Sequence, residues 1–315
     1  MKTIMPAKHS ESMVTVAITI EATRIIGALI DADGGLSSVN ALPNPVSEPR
    51  EIILHTLITL IKQVLTETSG KTVNGIGISI AAPIHRNNRT ILRSDKIPQL
   101  ENMDLVQLLQ GEFEHPVTIE NDVNAMALLE ARQGVGQGAE SIFYVFVDDD
   151  LNGAIVQHGE IWRGIHSNAG EIGSLVAGWM GTKAITLGQR ASGQGIAAEY
   201  NMRSRKHRTP TIDEMIQYAR QGDHLAIRVI RDGARILGSV LNPVMNLLDP
   251  ELVVVGGRFA HTGDLWWKNF SEAFAESSGS HLVQTMVQRS KYDEDATLQG
   301  AALIARMTTP SAQDV

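Results

Sequence analysis

Short apolar strands alternate with an amphipathic helix at the start of this chain of 315 residues. Residues 13–20 alternate Val or Ile with Thr or Ala, and residues 73–80 and 116–120 form two further apolar runs. Residues 48–68 place apolar side chains at helical spacing, and a Ser-Gly pair marks the end of that helix. Strand, helix and strand in this order predict an α/β fold.

The strand pattern restarts beyond Glu130. Residues 141–147 predict a strand, residues 153–158 its hairpin partner, and residues 224–248 a long helix with an apolar stripe. A buried strand at residues 252–255 ends in a Gly-Gly turn, and a terminal helix closes the chain at residues 296–307. The restart predicts a second domain.

The composition of the chain excludes several classes of function. The chain has no cysteine, which excludes disulfides, thiolate metal sites and thiol catalysis. A net charge of −8 repels phosphate backbones, so nucleic acid is not the expected partner. No stretch reaches the roughly 18 uninterrupted apolar residues of a membrane span, and residues 1–12 lack the apolar run of a secretion signal. We expect a cytoplasmic protein with a disordered tail over residues 1–12.

Two polar motifs suit a site for sugar hydroxyls. Residues 121–125 read Asn-Asp-Val-Asn-Ala directly after the third strand, and residues 169–173 read Ala-Gly-Glu-Ile-Gly. A carboxylate can orient a hydroxyl and accept its proton, and an amide can donate and accept hydrogen bonds. The alternatives are structural: Asp122 as the N-cap of the next helix, and Glu171 as a solvent-facing turn residue.

The order of these segments resembles the ROK family (repressors, open reading frames and sugar kinases) over about residues 13–307. The matching segments are residues 75–83, 116–125, 158–164, 169–173 and 249–257. The resemblance implies a two-lobed, actin-like (sugar kinase/Hsp70) fold with a cleft between the lobes. One α/β lobe would comprise residues 13–119 and 293–309, and the other residues 120–292.

The resemblance also implies roles for individual residues. Asn121 and Asp122 would bind sugar hydroxyls, and in a kinase Asp122 would take the proton of the attacking hydroxyl. Glu171 would accept hydrogen bonds from the sugar ring, and a carboxylate acceptor rejects analogues that lack the hydroxyl. Ala82 and Ser174 would complete the sugar site.

Several positions depart from the family pattern. Ser174 replaces a histidine that contacts both sugar and zinc, and Trp179, Gly181 and Thr186 stand where three cysteine ligands would be expected. We therefore expect no zinc and no other metal. Gly188 occupies the place of a second sugar-contacting Glu, so the ligand need not be glucose or N-acetylmannosamine.

Both phosphate loops implied by the resemblance are altered. Residues 19–24 read Thr-Ile-Glu-Ala-Thr-Arg in place of Asp-x-Gly-Gly-Thr-Lys, and residues 148–153 read Asp-Asp-Asp-Leu-Asn-Gly in place of a glycine-rich loop. Glycines let backbone N–H groups approach phosphate oxygens. A carboxylate about 4 Å from a phosphate oxygen costs about 4 kcal/mol at an effective dielectric constant of about 20. Thr23, Gly256 and Gly257 would be the remnant of the nucleotide site.

Alternatives stay open for these features. The three aspartates fit a solvated turn, or a magnesium ion bridging to phosphates, and the glycine pair fits a structural turn. The basic run at residues 203–208 fits a mobile surface loop or a contact with nucleic acid. The 12 residues before Met13 are too few for the winged helix-turn-helix of ROK repressors, so direct nucleic-acid binding is not expected.

These observations predict a ROK-type protein that binds a small sugar and acts as a non-catalytic sensor or regulator. It would need no cofactor, and it would form a homo-oligomer such as a dimer. The second hypothesis is an ATP-dependent hexose kinase of the glucokinase or N-acetylhexosamine type, which would use Mg-ATP. The third is an interaction protein with a vestigial pocket.

Overall fold

The computed structural model describes residues 13–85, 87, 89–92, 94–205, 208–261, 263–277, 285–293 and 295–308. The expected disordered tail over residues 1–12 lies outside the described residues, as do two positions of the basic run. The chain divides into two compact units, Met1–Met126 with Asp295–Val315, and Ala127–Glu294. Each unit is built on its own five-stranded sheet.

The first unit contains a mixed sheet. Its strands are β1 (Met13–Ile20), β2 (Arg24–Asp31), β3 (Leu36–Pro43), β4 (Thr72–Ile80) and β5 (Val117–Asn121). The strand order is β3-β2-β1-β4-β5, with β1, β4 and β5 parallel and β2 antiparallel to both of its neighbours. The predicted strands are confirmed, and the carboxyl ends of β1, β4 and β5 meet at one edge of the sheet.

Helices cover both faces of this sheet. They are α1 (Arg50–Thr66), α2 (Leu105–Gln110), the start of α3 (Asp122–Gln133), and the C-terminal helix Ala296–Thr308. The polar positions of β1 are therefore buried as well, since Thr15 and Thr19 are 0% and 1% exposed. Ala17 packs with Ala28 and Ala301 on the face of the C-terminal helix, while the apolar residues of β1 pack in the cluster that contains α1.

β4 and the C-terminal helix approach each other closely at Gly77. A Cβ atom on Gly77 would lie 1.9 Å from the carbonyl oxygen of Ala301 and 3.1 Å from the Cβ of Ala305. The obstacle is helix backbone, which cannot move aside as a flexible side chain can. The absence of a side chain at Gly77 therefore sets the distance between helix and sheet.

The second unit contains the remaining strands and helices. Its strands are β6 (Ser141–Val147), β7 (Leu151–Gln157), β8 (Glu160–Ile161), β9 (Val176–Met180), β10 (Lys183–Thr186), β11 (Leu252–Gly256) and β12 (Met286–Arg289). The sheet order is β12-β11-β6-β7-β8, and β9 and β10 form a separate hairpin. The helices are α4 (Leu187–Ala191), α5 (Gly193–Ser204), α6 (Ile212–Arg220), α7 (His224–Leu248), α8 (Arg258–His261) and α9 (Asp264–Glu276). The C-terminal helix of the first unit is α10.

The core of this unit lies between the sheet and its helices. Val253 of β11 and Phe143 of β6 are buried with Leu237 of α7 and Phe270 of α9. The predictions of strands at residues 141–147 and 252–255 and of a helix at residues 224–248 are confirmed. Among the described residues, no helix combines the length and apolar character needed to cross a bilayer.

We expect Gly77→Ala to lower the free energy of unfolding by about 1–3 kcal/mol, because the added methyl group forces β4 and α10 apart. Gly178→Ala in β9 is the matched control, since a Cβ there meets no atom within 4 Å. Chemical denaturation of both variants measures the difference. Equal stability of the two variants would contradict the close approach at Gly77.

Candidate functional site

The junction between β5 and α3 places the first predicted motif at the carboxyl end of the parallel strands. Asn121 Oδ1 accepts a hydrogen bond from the backbone N–H of Asn124 at 3.0 Å. Asn121 Nδ2 donates to the carbonyl oxygen of Ala82 at 3.2 Å and to Asp122 Oδ1 at 3.1 Å. The structure thus brings together three of the predicted sugar residues: Ala82, Asn121 and Asp122.

The structure corrects the alternative reading of Asp122 as the N-cap, because α3 already includes Asp122. Asn121 takes the capping position, since its Oδ1 accepts from the N–H of Asn124 in the first turn. Asp122 Oδ1 accepts from the backbone N–H of Val123 at 2.8 Å. Asn121 Nδ2 donates to the same oxygen, and the backbone N–H of Asp122 itself also donates to this carboxylate.

Strand geometry explains why polar groups gather here. Ala81 N–H donates to the carbonyl oxygen of Ile20 at 3.1 Å, so the residues that follow β1 and β4 stay together. Glu21 follows β1, Ala82 follows β4, and Asp122 follows β5. In open α/β sheets ligands bind at the carboxyl ends of parallel strands.

Burial raises the pKa of Asp122 from 3.8 to about 6. The positive charge of Lys96 opposes this shift and lowers the pKa, as does the hydrogen bond from Val123. The negative charge of Glu21 adds to the shift. Asp122 is thus a carboxylate of unusual basicity, ionised for the most part at neutral pH and able to accept a proton from a hydroxyl.

Glu120 is a positioning residue that the sequence analysis missed. Its side chain is 1% exposed, and its Oε1 accepts from Asn121 N–H at 2.9 Å and from Asn124 Nδ2 at 3.0 Å. A buried carboxylate fixes its donors firmly, since losing a donor leaves a desolvated charge. An acidic residue at the end of an apolar strand, directly before Asn-Asp, was the available signal.

Glu171 and Ser174 lie together in the second unit. Glu171 precedes a short 3-10 helix (Ile172–Ser174), and Ser174 Oγ donates to the carbonyl oxygen of Glu171 at 2.7 Å. The preceding Gly170 has φ +95°, and a Cβ there would lie 2.2 Å from the carbonyl oxygen of Gly153 in β7. Glycine at 170 therefore lets the turn that carries Glu171 pack directly on the strand.

The acidic turn between β6 and β7 forms ion pairs with an arginine far away in sequence. Arg258 Nη2 contacts Asp148 at 2.5 Å and Asp149 at 2.9 Å, and Arg258 Nη1 contacts Asp213 at 3.2 Å. These carboxylates raise the pKa of Arg258, with the hydrogen bonds that Arg258 donates to Asp148 as the largest cause. The expected carboxylate crowding is thus partly offset, because Arg258 neutralises one of the charges.

The backbone of the same turn caps a helix. The carbonyl oxygens of Asp148 and Asp149 accept from the N–H groups of Gly193 at 2.7 Å and Gln194 at 3.1 Å. Ser192 Oγ accepts from Gly195 N–H at 3.1 Å. A free helix N-terminus attracts anions, but the first N–H groups of α5 already have partners.

Gly256 and Gly257, which the resemblance assigns to a remnant of the nucleotide site, are closely packed against other parts of the protein. A Cβ on Gly256 would lie 2.2 Å from the hydroxyl oxygen of Tyr144, and one on Gly257 would lie 2.3 Å from the carbonyl oxygen of Val147. Gly257 also has φ +91°. Close packing therefore explains both glycines without a nucleotide, as the structural-turn alternative proposed.

The first altered loop is a hairpin turn between β1 and β2. Glu21 N–H donates to the carbonyl oxygen of Arg24 at 3.0 Å, and their side chains form an ion pair at 2.7 Å. Thr23 contributes its carbonyl oxygen, which accepts from Asn44 N–H at 2.9 Å. Asn44 Nδ2 in turn donates to the carbonyl oxygen of Glu21 at 2.6 Å.

The positions expected for cysteine ligands lie within the β9–β10 hairpin. Trp179 is 68% exposed, Gly181 has φ +59°, and Thr186 forms a capping box with Gln189 at the start of α4. Gly188 packs near Gly173, since a Cβ there would lie 3.1 Å from the carbonyl oxygen of Gly173. Within the described ranges, no three His, Cys, Asp or Glu side chains are grouped so that they could hold a metal ion.

Asp122→Asn tests the electrostatics of the junction. Because the pKa of Asp122 is raised from 3.8 to about 6, the folded protein binds more protons than the unfolded chain between these values. The carboxyl group therefore lowers stability as pH rises through that window. We expect the stability of Asp122→Asn relative to wild type to increase from about pH 4 to about pH 7 in denaturant titrations. Exposed Asp33→Asn controls for the charge change, and a difference that does not vary with pH would contradict the raised pKa.

Comparison of the sequence with known proteins identifies the family of this chain. The sequence pattern of the ROK family matches residues 15–308. The chain is 27% identical over 299 residues to the N-acetylmannosamine kinase of Escherichia coli (strain SMS-3-5 / SECEC), covering 93% of this chain and 99% of that protein. It is 22% identical over 317 residues to the xylose repressor of Caldicellulosiruptor bescii, covering 90% of this chain and 79% of the repressor.

Structural comparison gives the same result for the fold. A ROK family glucokinase from Streptomyces griseus, crystallised with glucose and AMPPNP, superposes with a TM-score of 0.81 at 24% sequence identity. The superposition covers 93% of this chain and 99% of the glucokinase. The expected actin-like fold of the sugar kinases is thereby confirmed. With a family match that spans nearly all of its length, this chain belongs to the ROK family.

Proposed function

We propose that this protein binds a small sugar and acts as a sensor or regulator rather than as a kinase. The observation that carries the proposal is the junction at β5 and α3, where burial raises the pKa of Asp122 beside Asn121 and Ala82. A kinase, a glucokinase and a repressor among its relatives have names that refer to sugars, which supports this ligand class.

In this proposal Asp122 is the principal hydroxyl acceptor of the first unit. Both hydrogens of Asn121 Nδ2 are engaged, by Ala82 and by Asp122, so Asn121 acts mainly by orienting its neighbour. Asn121 Oδ1 can still accept one hydroxyl through its second lone pair. In the second unit, Glu171 is a further hydroxyl acceptor, and Ser174 supports it through the bond to its carbonyl oxygen.

The turn at Asp148 supports the non-catalytic part of the proposal. Its backbone presents carbonyl oxygens to α5 instead of free N–H groups to a phosphate, and its carboxylates hold Arg258. Asp149, whose pKa is raised mainly by burial, contacts the same guanidinium group at 2.9 Å. A triphosphate that drew Arg258 away from Asp148 and Asp149 would leave both carboxylates uncompensated.

A second candidate is an ATP-dependent hexose kinase, and one observation favours it. A pKa near 6 makes Asp122 a stronger base than an ordinary aspartate while leaving it ionised at neutral pH. In that case Mg-ATP is the cofactor, Asp122 is the catalytic base, and Thr23, Gly256 and Gly257 contact the nucleotide. No zinc is required in either case, because the chain has no cysteine at the three expected positions.

Two further expectations are carried forward as proposals. We propose a cytoplasmic location. A chain without cysteine forms no disulfides, which are rare in the reducing cytoplasm. The basic run at residues 203–208 is proposed to be a surface element rather than a nucleic-acid contact. Arg203 pairs with Glu199 at 2.5 Å, and Arg208 pairs with Glu214, so two of its charges are already engaged.

A thermal-shift screen over a panel of sugars, each with and without Mg-ATP, separates the three hypotheses. We expect one sugar class to raise the melting temperature of wild type, with no further effect of Mg-ATP. Asp122→Ala is expected to abolish the shift, because it removes the acceptor oxygen. Asp33→Ala, an exposed turn residue, is the control.

Two outcomes would contradict the sensor. Release of ADP that depends on the sugar and disappears in Asp122→Ala would establish the kinase, with a rate that rises with pH through about 6. No response to any sugar would favour the interaction protein with a vestigial pocket.

We also propose that the chain forms a homodimer, as the resemblance implies. Large apolar side chains on the surface support self-association, including Met202, which is 68% exposed, and Met286, which is 59% exposed. Light scattering after gel filtration is expected to give twice the chain mass. The mass of a single chain over a range of micromolar concentrations would contradict the dimer.

A further inference from the structure

A cavity of about 430 Å³ in the second unit lies beside Glu171. Its apolar part is formed by Phe143 of β6, Ile155 of β7, and Val244 and Leu248 in the last turns of α7. Apart from Glu171, none of the residues assigned to the sugar by the resemblance lines it. The lining of this cavity is therefore mostly separate from the predicted hydroxyl contacts.

The loop at residues 162–171 supplies the polar part and one wall. His166, Asn168 and Glu171 line the cavity from this loop, and Trp162 stands at its beginning with 49% of its surface exposed. Ile165 also lines the cavity and is 67% exposed. Polar groups thus come from the loop, and apolar groups from the sheet, the helix and the two exposed side chains.

Both ends of this loop are tied to the same strand. Trp162 N–H donates to the carbonyl oxygen of Ile155 at 2.8 Å, and Gly153 N–H donates to the carbonyl oxygen of Gly170 at 2.8 Å. Gly153 and Ile155 are two residues apart in β7 and therefore project their backbone bonds in the same direction. The backbone positions of Trp162 and Gly170, the neighbour of Glu171, are consequently fixed against the same strand.

The interior of the loop is also constrained. Gly164 and Ser167 have φ of +69° and +58°, and Ala169 N–H donates to the carbonyl oxygen of Arg163 at 3.1 Å. A left-handed conformation at a serine is uncommon and persists only where the surroundings hold it. The backbone of the loop is therefore held in one conformation, and the loop forms a fixed wall of the cavity.

The size of the cavity indicates what it can hold. Ligand sites commonly have volumes of about 300–1,000 Å³, and an apolar cavity of about 150 Å³ is large enough for benzene. A volume of 430 Å³ accommodates a benzene-sized group together with part of a sugar ring. A polar ligand alone would leave the exposed ring of Trp162 without an apolar partner.

We propose that this cavity is a subsite for an apolar substituent of the sugar, and that the ligand is a glycoside with an aromatic or similarly bulky aglycone. A hydroxyl of the sugar binds Glu171, and the aglycone packs against Trp162 and the apolar floor. The proposal rests on the proposed sugar binding at Glu171. It adds the class of ligand, since the carboxylate and the aromatic wall lie in one cavity.

The test compares methyl and phenyl glycosides of glucose, galactose, mannose and xylose, in both anomers, by isothermal titration calorimetry with the full chain. We expect phenyl glycosides of the preferred sugar to bind at least about tenfold more tightly than the methyl glycosides, as typical for an added apolar group in an apolar pocket. Trp162→Ala is expected to remove this preference while leaving the affinity for the methyl glycoside within about twofold. Glu171→Gln is expected to weaken both glycosides equally.

Trp179→Ala is the matched control, because Trp179 is an exposed tryptophan of the same unit that does not line the cavity. It should retain the preference for phenyl glycosides. Equal affinities for methyl and phenyl glycosides, or a preference that survives in Trp162→Ala, would overturn the subsite while leaving sugar binding intact. Absence of binding by every glycoside would overturn the proposed function as well.

The same experiment also tests whether a second copy of the chain occupies the cavity. If Trp162→Ala changes the mass measured by light scattering and the phenyl preference is absent, the cavity is part of a self-interface, and the subsite is overturned. A phenyl preference that depends on Trp162 at unchanged mass supports the subsite.

Discussion

The side chain of Asn121 holds together the end of β4, the end of β5 and the beginning of α3. Its oxygen caps the helix through Asn124, and its nitrogen bonds the carbonyl oxygen of Ala82 and the carboxylate of Asp122. Beneath it, the buried carboxylate of Glu120 fixes the backbone of Asn121 and the side chain of Asn124. The orientation of Asp122 depends on this network, and so does every role proposed for it.

The two groups of aspartates show how surroundings decide what a carboxylate does. Asp122 is desolvated and has only a partly compensating charge from Lys96, so its pKa is raised to about 6 and its carboxylate is basic. Asp148 is held by Arg258 through several hydrogen bonds, and its charge is largely neutralised. The first carboxylate is the one proposed to bind a ligand, whereas the second is held by an ion pair within a turn.

Local sequence patterns predicted the positions of the main strands and helices. Apolar alternation located β1, and helical spacing located α1 and α7, because these elements are specified by side chains close in sequence. The same reasoning failed for the cap of α3. Both Asn and Asp are favoured caps, and the choice of Asn121 follows from a bond that reaches Ala82. It also missed Arg258, whose partner Asp148 lies 110 positions away, and Lys96, which faces Asp122 only in the folded chain.

By itself, the sequence determined the α/β class, the positions of the main strands and helices, and the family, since all three follow from the order of short motifs. Tertiary structure decided how the polar residues act. Charge compensation, burial and close backbone approach depend on distances between residues far apart in the chain, as at Gly77 against Ala301 and at Arg258 against Asp148. The cavity beside Glu171 also exists only in the folded chain, because its walls come from β6, β7, α7 and the loop at residues 162–171.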